Sequence, residues 1–297
     1  MKVGVIVPQG WQGEYEGWEP DRAWRRTVAV AQQAERLGYE SIWLFDHFHT
    51  VPEPTDELTF EAFTSLAALA ALMGRVRLGH VVLCSSYRNP ALLAKMAGTM
   101  DVISSGRFDL GIGAGWKRDE WVAYGYGFPP LKERLAHLGD SLEILTRMLA
   151  PGTAHASFAG EHAHVDDAIN LPRGLQRPHV PVMVGGNGQN VTWRLAARYA
   201  DELNLDGMEP HEVERALPVI RARCEEIGRD PATLSLSVHV WHEDLEDAGP
   251  ARVQRLAAFR DLGIARVMGL LHRSATTDEA LESLAEDARA AGATFAP

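Results

Sequence analysis

Residues 76–116 read "VRLGHVVLCSSYRNPALLAKMAGTMDVISSGRFDLGIGAGW" and contain one complete strand–helix–strand unit. The run 76–83 is rich in valine and leucine, as a buried strand requires. "PALLAKMAGTMDVIS" (90–104) has helical spacing and opens on proline, a residue suited to a first helical turn because its missing N–H would have no partner there. "RFDLGIG" (107–113) is the second strand. Two strands joined by a helix run parallel, and a parallel sheet covered on both faces takes continuous apolar runs rather than alternating ones.

The same unit repeats on either side. "VGVIV" (3–7) is followed by a helical pattern over 21–37, bounded by Pro20 and Gly38; "SIWLF" (41–45) is followed by a helix over 60–73, and the strand at 107–113 by one over 131–150. Alternation resumes with strand 181–186 and helix 188–199, then 202–205 and 210–228, 234–240 and 250–262, and 265–271 and 278–291. Between the halves, 151–178 has no helical period and is rich in Gly, Pro and His; it reads as a loop insertion after the fourth helix, holding a short hairpin. Eight units in 297 residues predict a (β/α)8 TIM barrel over residues 1–297 as a single domain. The competing doubly wound sheet usually has fewer strands.

Composition narrows the partners. Against 29 Lys+Arg stand 40 Asp+Glu, a net charge of −11, with no local basic cluster. Neither nucleic acid nor an anionic membrane surface suits that balance. Cys84 and Cys224 are far apart and form no metal or redox motif. The N-terminus "MKVGVIVPQG" lacks a signal-peptide core, and no apolar run is long enough to span a bilayer, so the cytoplasm is the default compartment.

In such a barrel the chemistry sits on the loops after the C-terminal strand ends. Those ends carry Pro8-Gln9-Gly10-Trp11, Asp46-His47-Phe48-His49, Cys84 to Arg88, Gly113-Ala114-Gly115-Trp116, Gly185-Gly186-Asn187-Gly188-Gln189, Asn204-Leu205-Asp206, Trp241-His242 and Leu271-His272-Arg273. Two glycine-rich loops among several aromatics point to a broad planar ligand with a phosphate tail. A metal at His47-Phe48-His49 would need ligands from later strand ends, which supply glycine and asparagine instead, so no metal is expected. "VGGNGQN" (184–190) runs from a strand toward a helix N-terminus, a geometry that offers backbone N–H groups to an anion; Asn187, Gln189, Asn190 and Thr192 could add donors. "LGIGAGW" (110–116) leaves room for a ring at Gly113, Ala114 and Gly115, with Trp116 either walling the pocket or belonging to a surface helix. Trp11 and Trp116 are the candidate substrate-pocket residues. His47 and Asp46 are the candidate catalytic residues: His47, beside the carboxylate, suits proton donation or charge stabilisation near neutral pH, and the plainer reading is a half-buried histidine bonded to Asp46.

These segments resemble the bacterial luciferase-like monooxygenases and reductases: "WLFDHF" (43–48), the long block 77–125, and "PVMVGGNGQNVTWRLAARYADELNL" (181–205) are similar to that family's motifs, in family order. The Asp46-His47 pair is more similar to the branch that uses the deazaflavin coenzyme F420 than to the FMN branches. The resemblance implies that His47 lies near the hydride-carrying carbon as general acid or charge stabiliser, and that 184–190 binds phosphate. It also implies a bulge with a non-prolyl cis peptide at Val81–Val82, backing the ring, and a homodimer. One position departs: some relatives that oxidise sugar phosphates carry Glu where Trp116 stands, which puts that substrate in doubt, and Glu120 is near in sequence without being an assumed replacement. The resemblance implies an F420-dependent oxidoreductase acting on a small organic molecule. The alternatives are an FMN-dependent monooxygenase and a non-catalytic flavin-binding relative.

Overall fold

The strand–helix units close on themselves. In the computed structural model, which describes residues 1–152, 154–241, 245 and 247–296, the first half comprises β1 (Lys2–Ile6), α1 (Pro20–Leu37), β2 (Ser41–Leu44), α2 (Ala62–Leu72), β3 (Arg77–His80), β4 (Leu83–Cys84), α3 (Pro90–Ile103) and β5 (Phe108–Gly113). Then come α4 (Arg118–Ala123), α5 (Leu131–Leu149), β6 (His155–Ala159), β7 (His164–Ile169), β8 (Val182–Gly185), α6 (Thr192–Tyr199) and β9 (Glu202–Asp206). The chain ends with α7 (Pro210–Glu225), β10 (Ser235–Val240), α8 (Pro250–Asp261), β11 (Arg266–Leu270) and α9 (Glu279–Ala290). The order around the sheet is β3-β2-β1-β11-β10-β9-β8-β5, and β5 pairs with both β3 and β4, two halves of one stave, so the ring shuts. All these pairings are parallel, giving the closed eight-staved barrel expected of the repeat. The insertion at 151–178 holds the antiparallel hairpin β6–β7.

Local chemistry starts and stops the helices where the sequence places its signals. Glu61 accepts hydrogen bonds from the Phe63 and Thr64 N–H groups at the start of α2, and Asn89 does the same for Ala91 and Leu92 at α3. Gly38 ends α1 at φ 84°, a left-handed conformation open to glycine without a Cβ penalty. Arg107 ties its guanidinium to the carbonyls of Ala70, Met73 and Val76, holding the turn between α2 and β3.

The barrel interior is layered from bottom to top. At the N-terminal end Arg266 is buried among Glu40 (3.0 Å), Glu202 (3.1 Å) and Asp109 (3.4 Å), with Arg77 also on Asp109. The Arg266 guanidinium lies 5.1 Å from the centroid of Trp43, which forms the next layer. A Cβ on Gly79 would collide with the Trp43 ring, and one on Gly4 would come within 2.7 Å of its Nε1, so both glycines make room for the indole. Above Trp43, Met183 and Met268 and then Phe45, Trp11 and Val81 complete the packing. The upper surface of this column is the floor of the site.

The bulge with a cis Val81–Val82 peptide that the family resemblance implies is present: it interrupts the run 76–83 after His80, and the ladder resumes at Leu83. Two details differ from the sequence reading. The helix expected over 188–199 starts only at Thr192, because nothing caps it earlier; Gly188 instead accepts the Trp193 N–H, and the glycine loop runs four residues longer. A short helix, α4, lies in the loop after β5, where no helix was read.

Candidate active site

A cavity of about 680 Å³ opens at the C-terminal ends of the strands, a volume suited to a cofactor-sized ligand. Every strand-end loop with glycines or aromatics noted above contributes, from Trp11 through His47, Val82, Gly113 to Trp116, Gly185 to Gly188, and Asp206 to Trp241. His242 lies outside the described residues.

Val82 forms a shelf in this cavity. Ideal Cβ atoms built on Gly113 and on Gly185 would each fall 2.8 Å from a Val82 methyl, so the valine occupies the notch these two glycines leave. Val81 and Val82 both line the cavity. Because valine is stiff at χ1, an added methyl must displace the 81–82 backbone rather than a flexible tip. Gly185→Ala is therefore expected to weaken cofactor binding about tenfold or more while leaving a folded barrel, as read by ligand titration alongside circular dichroism.

His47 is buried on the cavity wall, stacked on Trp11 (4.9 Å, 19°) with Trp116 edge-on at 5.8 Å. Its Nδ1 lies 3.1 Å from Glu120 Oε2, supplied by α4. Glu120 also accepts the Phe48 N–H (2.6 Å) and the Tyr87 hydroxyl (3.1 Å). Burial acts to raise the Glu120 pKa, but the hydrogen bond and charge of His47, with the Phe48 N–H, outweigh it and hold the carboxyl low. Glu120 is thus an ionised acceptor that orients the imidazole through Nδ1 and leaves Nε2 for a ligand. Burial, with the negative charge of Glu120, also pushes the Tyr87 phenol up, so it remains a donor.

Asp46 is not the partner of His47. Its carboxylate takes a two-pronged contact from Arg88 (2.8 and 3.0 Å) and the Cys84 N–H (2.9 Å), so it fixes the start of the loop after β4. The reading in which His47 bonds its neighbour is corrected: adjacent residues at a strand end point apart, and the dyad forms with a residue 73 positions away. His49 turns away, its Nδ1 donating to its neighbour's carbonyl on Thr50 (2.9 Å). Burial raises the Cys84 thiol to about 12, so it stays protonated on the cavity wall.

The glycine loop is held from the side. Asn187 donates from Nδ2 to Asp206 O (2.7 Å) and accepts the Asp206 N–H (2.9 Å), so its side chain pins the loop to β9 with one of its two N–H groups engaged. Gly185, Gly186, Asn187, Gly188 and Thr192 line the cavity, whereas Gln189 is exposed outside it and gives its carbonyl to Arg223. A Cβ on Gly188 would sit 2.6 Å from the Thr192 hydroxyl, so glycine keeps that hydroxyl and the adjacent backbone open. Trp11 is fully buried behind His47, and Trp116 stands on the rim, 62% exposed.

A second dyad was missed by the sequence reading. His239 Nδ1 lies 2.8 Å from Asn204 Oδ1, and its Nε2 lies 2.9 Å from Asp206 Oδ1. The Asn204 amide donates to Ser237 Oγ (3.0 Å), which assigns Oδ1 as the acceptor and His239 Nδ1–H as the donor. Burial acts to raise the Asp206 pKa, but the His239 contact outweighs it and holds the carboxyl low. The Phe45 ring lies between the two imidazoles, 6.3 Å from His47 and 5.8 Å from His239. The signal was present: His239 is the inward residue of "SVHVW", within the strand and two positions before Trp241, where the candidate loop residues begin.

The model of the luciferase-like monooxygenase family matches residues 1–295. An F420-dependent glucose-6-phosphate dehydrogenase of Kineococcus radiotolerans is 32% identical over 84% of this chain and 71% of its own. The pyrimidine monooxygenase RutA of Agrobacterium fabrum is 26% identical over 84% of this chain and 69% of its own. The solved structure of an F420-dependent secondary alcohol dehydrogenase, in complex with an F420-acetone adduct, superposes with a TM-score of 0.82 over 98% of each chain at 18% identity, a likeness of fold. With the family model spanning almost its whole length and a closed barrel carrying the site at the strand ends, this chain belongs to the luciferase-like monooxygenase family.

Proposed function

We propose that this chain is an F420-dependent oxidoreductase that moves hydride between the deazaflavin and a small organic substrate. The observation that carries this is the placement of the His47–Glu120 dyad beside the Val82 shelf, in one cavity with the glycine loop. The F420-dependent relative supports the same class. The residues fit such a cofactor. Val82 and the open positions Gly113 and Gly185 give a flat apolar support for a ring, and the loop at 185–188, with the Thr192 hydroxyl, offers donors to a phosphate. When bound, the deazaflavin supplies the carbon that carries hydride. The chain's own part is to orient the ring, exclude water with Trp11 and Trp116, and hold a proton at His47 Nε2, with Glu120 stabilising the protonated imidazole.

The second reading is an FMN-dependent monooxygenase; the monooxygenase activity in the Agrobacterium relative's name favours its oxygen chemistry. Oxygen demand separates the two. Mixed with reduced F420 and a carbonyl substrate under nitrogen, the protein is expected to oxidise the cofactor at the rate seen in air, consuming no oxygen. A rate that vanishes under nitrogen, with oxygen uptake in air, overturns the proposal in favour of monooxygenation.

A further inference from the structure

The charges of the cavity reveal what it is built to admit. Among its described lining residues three carboxylates stand against one lysine, with the two imidazoles. Each charge is already matched within the protein. Asp46 is held by Arg88, which also pairs with Glu61; Glu120 faces His47; Asp206 faces His239. Lys117 pairs with Asp119 (2.8 Å) and donates to the Pro52 carbonyl. The large apolar and aromatic side chains of the lining are Trp11 and Phe45 below and Trp116, Trp241 and Leu131 nearer the mouth. A neighbouring hollow of about 310 Å³, sharing Gln12 and Val51 with the cavity, adds Glu16, Glu53 and Glu57 and no cation among its described lining residues.

Resting on the F420 reading above, we infer that the substrate is an uncharged alcohol or carbonyl compound with an apolar body, and that sugar phosphates and other anions are excluded. A phosphate entering beside the F420 ring would leave water without gaining a cation, since the backbone donors at 185–188 are taken by the cofactor's own phosphate. Burying a charge without a partner is costly enough to decide specificity. An ammonium fares little better, because every carboxylate that lines the cavity already has a cationic or imidazole partner. The oxygen of a neutral substrate, by contrast, meets His47 Nε2, and its carbon body meets the aromatic wall. Trp116 is where a single change weakens the preference: it is exposed on the rim, so Trp116→Lys adds a cation there without disturbing the core.

The test is a matched set measured by calorimetry on the F420-loaded protein: benzyl alcohol, its ring-phosphorylated counterpart 4-(hydroxymethyl)phenyl phosphate, and 4-(aminomethyl)benzyl alcohol. The uncharged member is expected to bind at least tenfold more tightly than either charged one, and W116K to narrow the gap to the phosphate at least fivefold. Equal or tighter binding of the phosphate or the ammonium overturns the inference, as does failure of all three to bind at millimolar concentration. Failure to take up F420 is a separate result that strikes the preceding proposal. The same set is then measured on the FMN-loaded protein, where the cofactor's phosphate again takes the donors at 185–188; the same charge order is expected there and its absence is equally decisive.

Discussion

Replacing Glu120 by alanine is expected to lower turnover about a hundredfold while leaving cofactor affinity within a few-fold. The carboxylate sits 3.1 Å from His47 Nδ1, so its loss frees the imidazole to rotate and removes the charge that stabilises its protonated form. General acid–base groups contribute roughly 10²–10⁴ in rate, and a residue that orients one shares that effect. His47→Ala is expected to cost at least as much. Glu120 is a positioning residue, and Glu120→Gln isolates its charge: the amide can still accept from Nδ1 and the Phe48 N–H, so kcat should fall only about tenfold, with KM unchanged within a few-fold. A merely structural role would lower activity in step with folded fraction, and the glutamine would hold no advantage over the alanine. Tyr87→Phe, which removes one donor to Glu120, should change kcat by less than about fivefold.

The largest effect on stability is expected at the opposite end of the barrel. Arg266→Met would leave Glu202 without its cation and strip one of two from Glu40 and Asp109, which keep Lys2 and Arg77, around a buried methionine. Breaking a buried ion pair from one side costs about 3–5 kcal/mol, roughly a 10 °C fall in Tm for a chain of this size. The pH dependence has a definite sign. Burial already raises the Glu202 carboxyl even with Arg266 present, so without the arginine the folded variant binds a proton that the unfolded chain releases. Above the ordinary carboxylate range, near pH 4.5, the variant therefore loses stability as pH rises, and its deficit is larger at pH 8 than at pH 5. Adding Glu202→Gln should recover part of the loss at pH 8 and little at pH 5. Thermal melts at the two pH values measure both statements.

How much of this was legible in the sequence follows from the range of each interaction. Strands such as 3–7 and 107–113 and the helices between them are written in local apolar periodicity, and eight repeats left little freedom in the topology. The glycine loops at 113–115 and 185–188 were legible for the same reason, since turn chemistry is local. The two dyads were not. His47 finds Glu120 across 73 residues, and His239 finds Asn204 across 35, through strand-end geometry that no local pattern encodes. The six-residue α4 that delivers Glu120 is too short to show a period. Asp46, adjacent to His47, drew attention by proximity along the chain, while alternation at the strand end sends it to Arg88. Asn187 was readable as a potential donor to ligand, but its pairing with the Asp206 backbone required the neighbouring strand.

The central claim is that this cavity holds a deazaflavin, with the ring against Val82 and its phosphate on the loop at 185–188. Fluorescence titration of the purified protein with oxidised F420 and, separately, with FMN tests it most directly. Saturable one-to-one binding of F420 in the micromolar range or tighter, with FMN at least about a hundredfold weaker, is the predicted result. Tight binding of FMN with no uptake of F420 would contradict it.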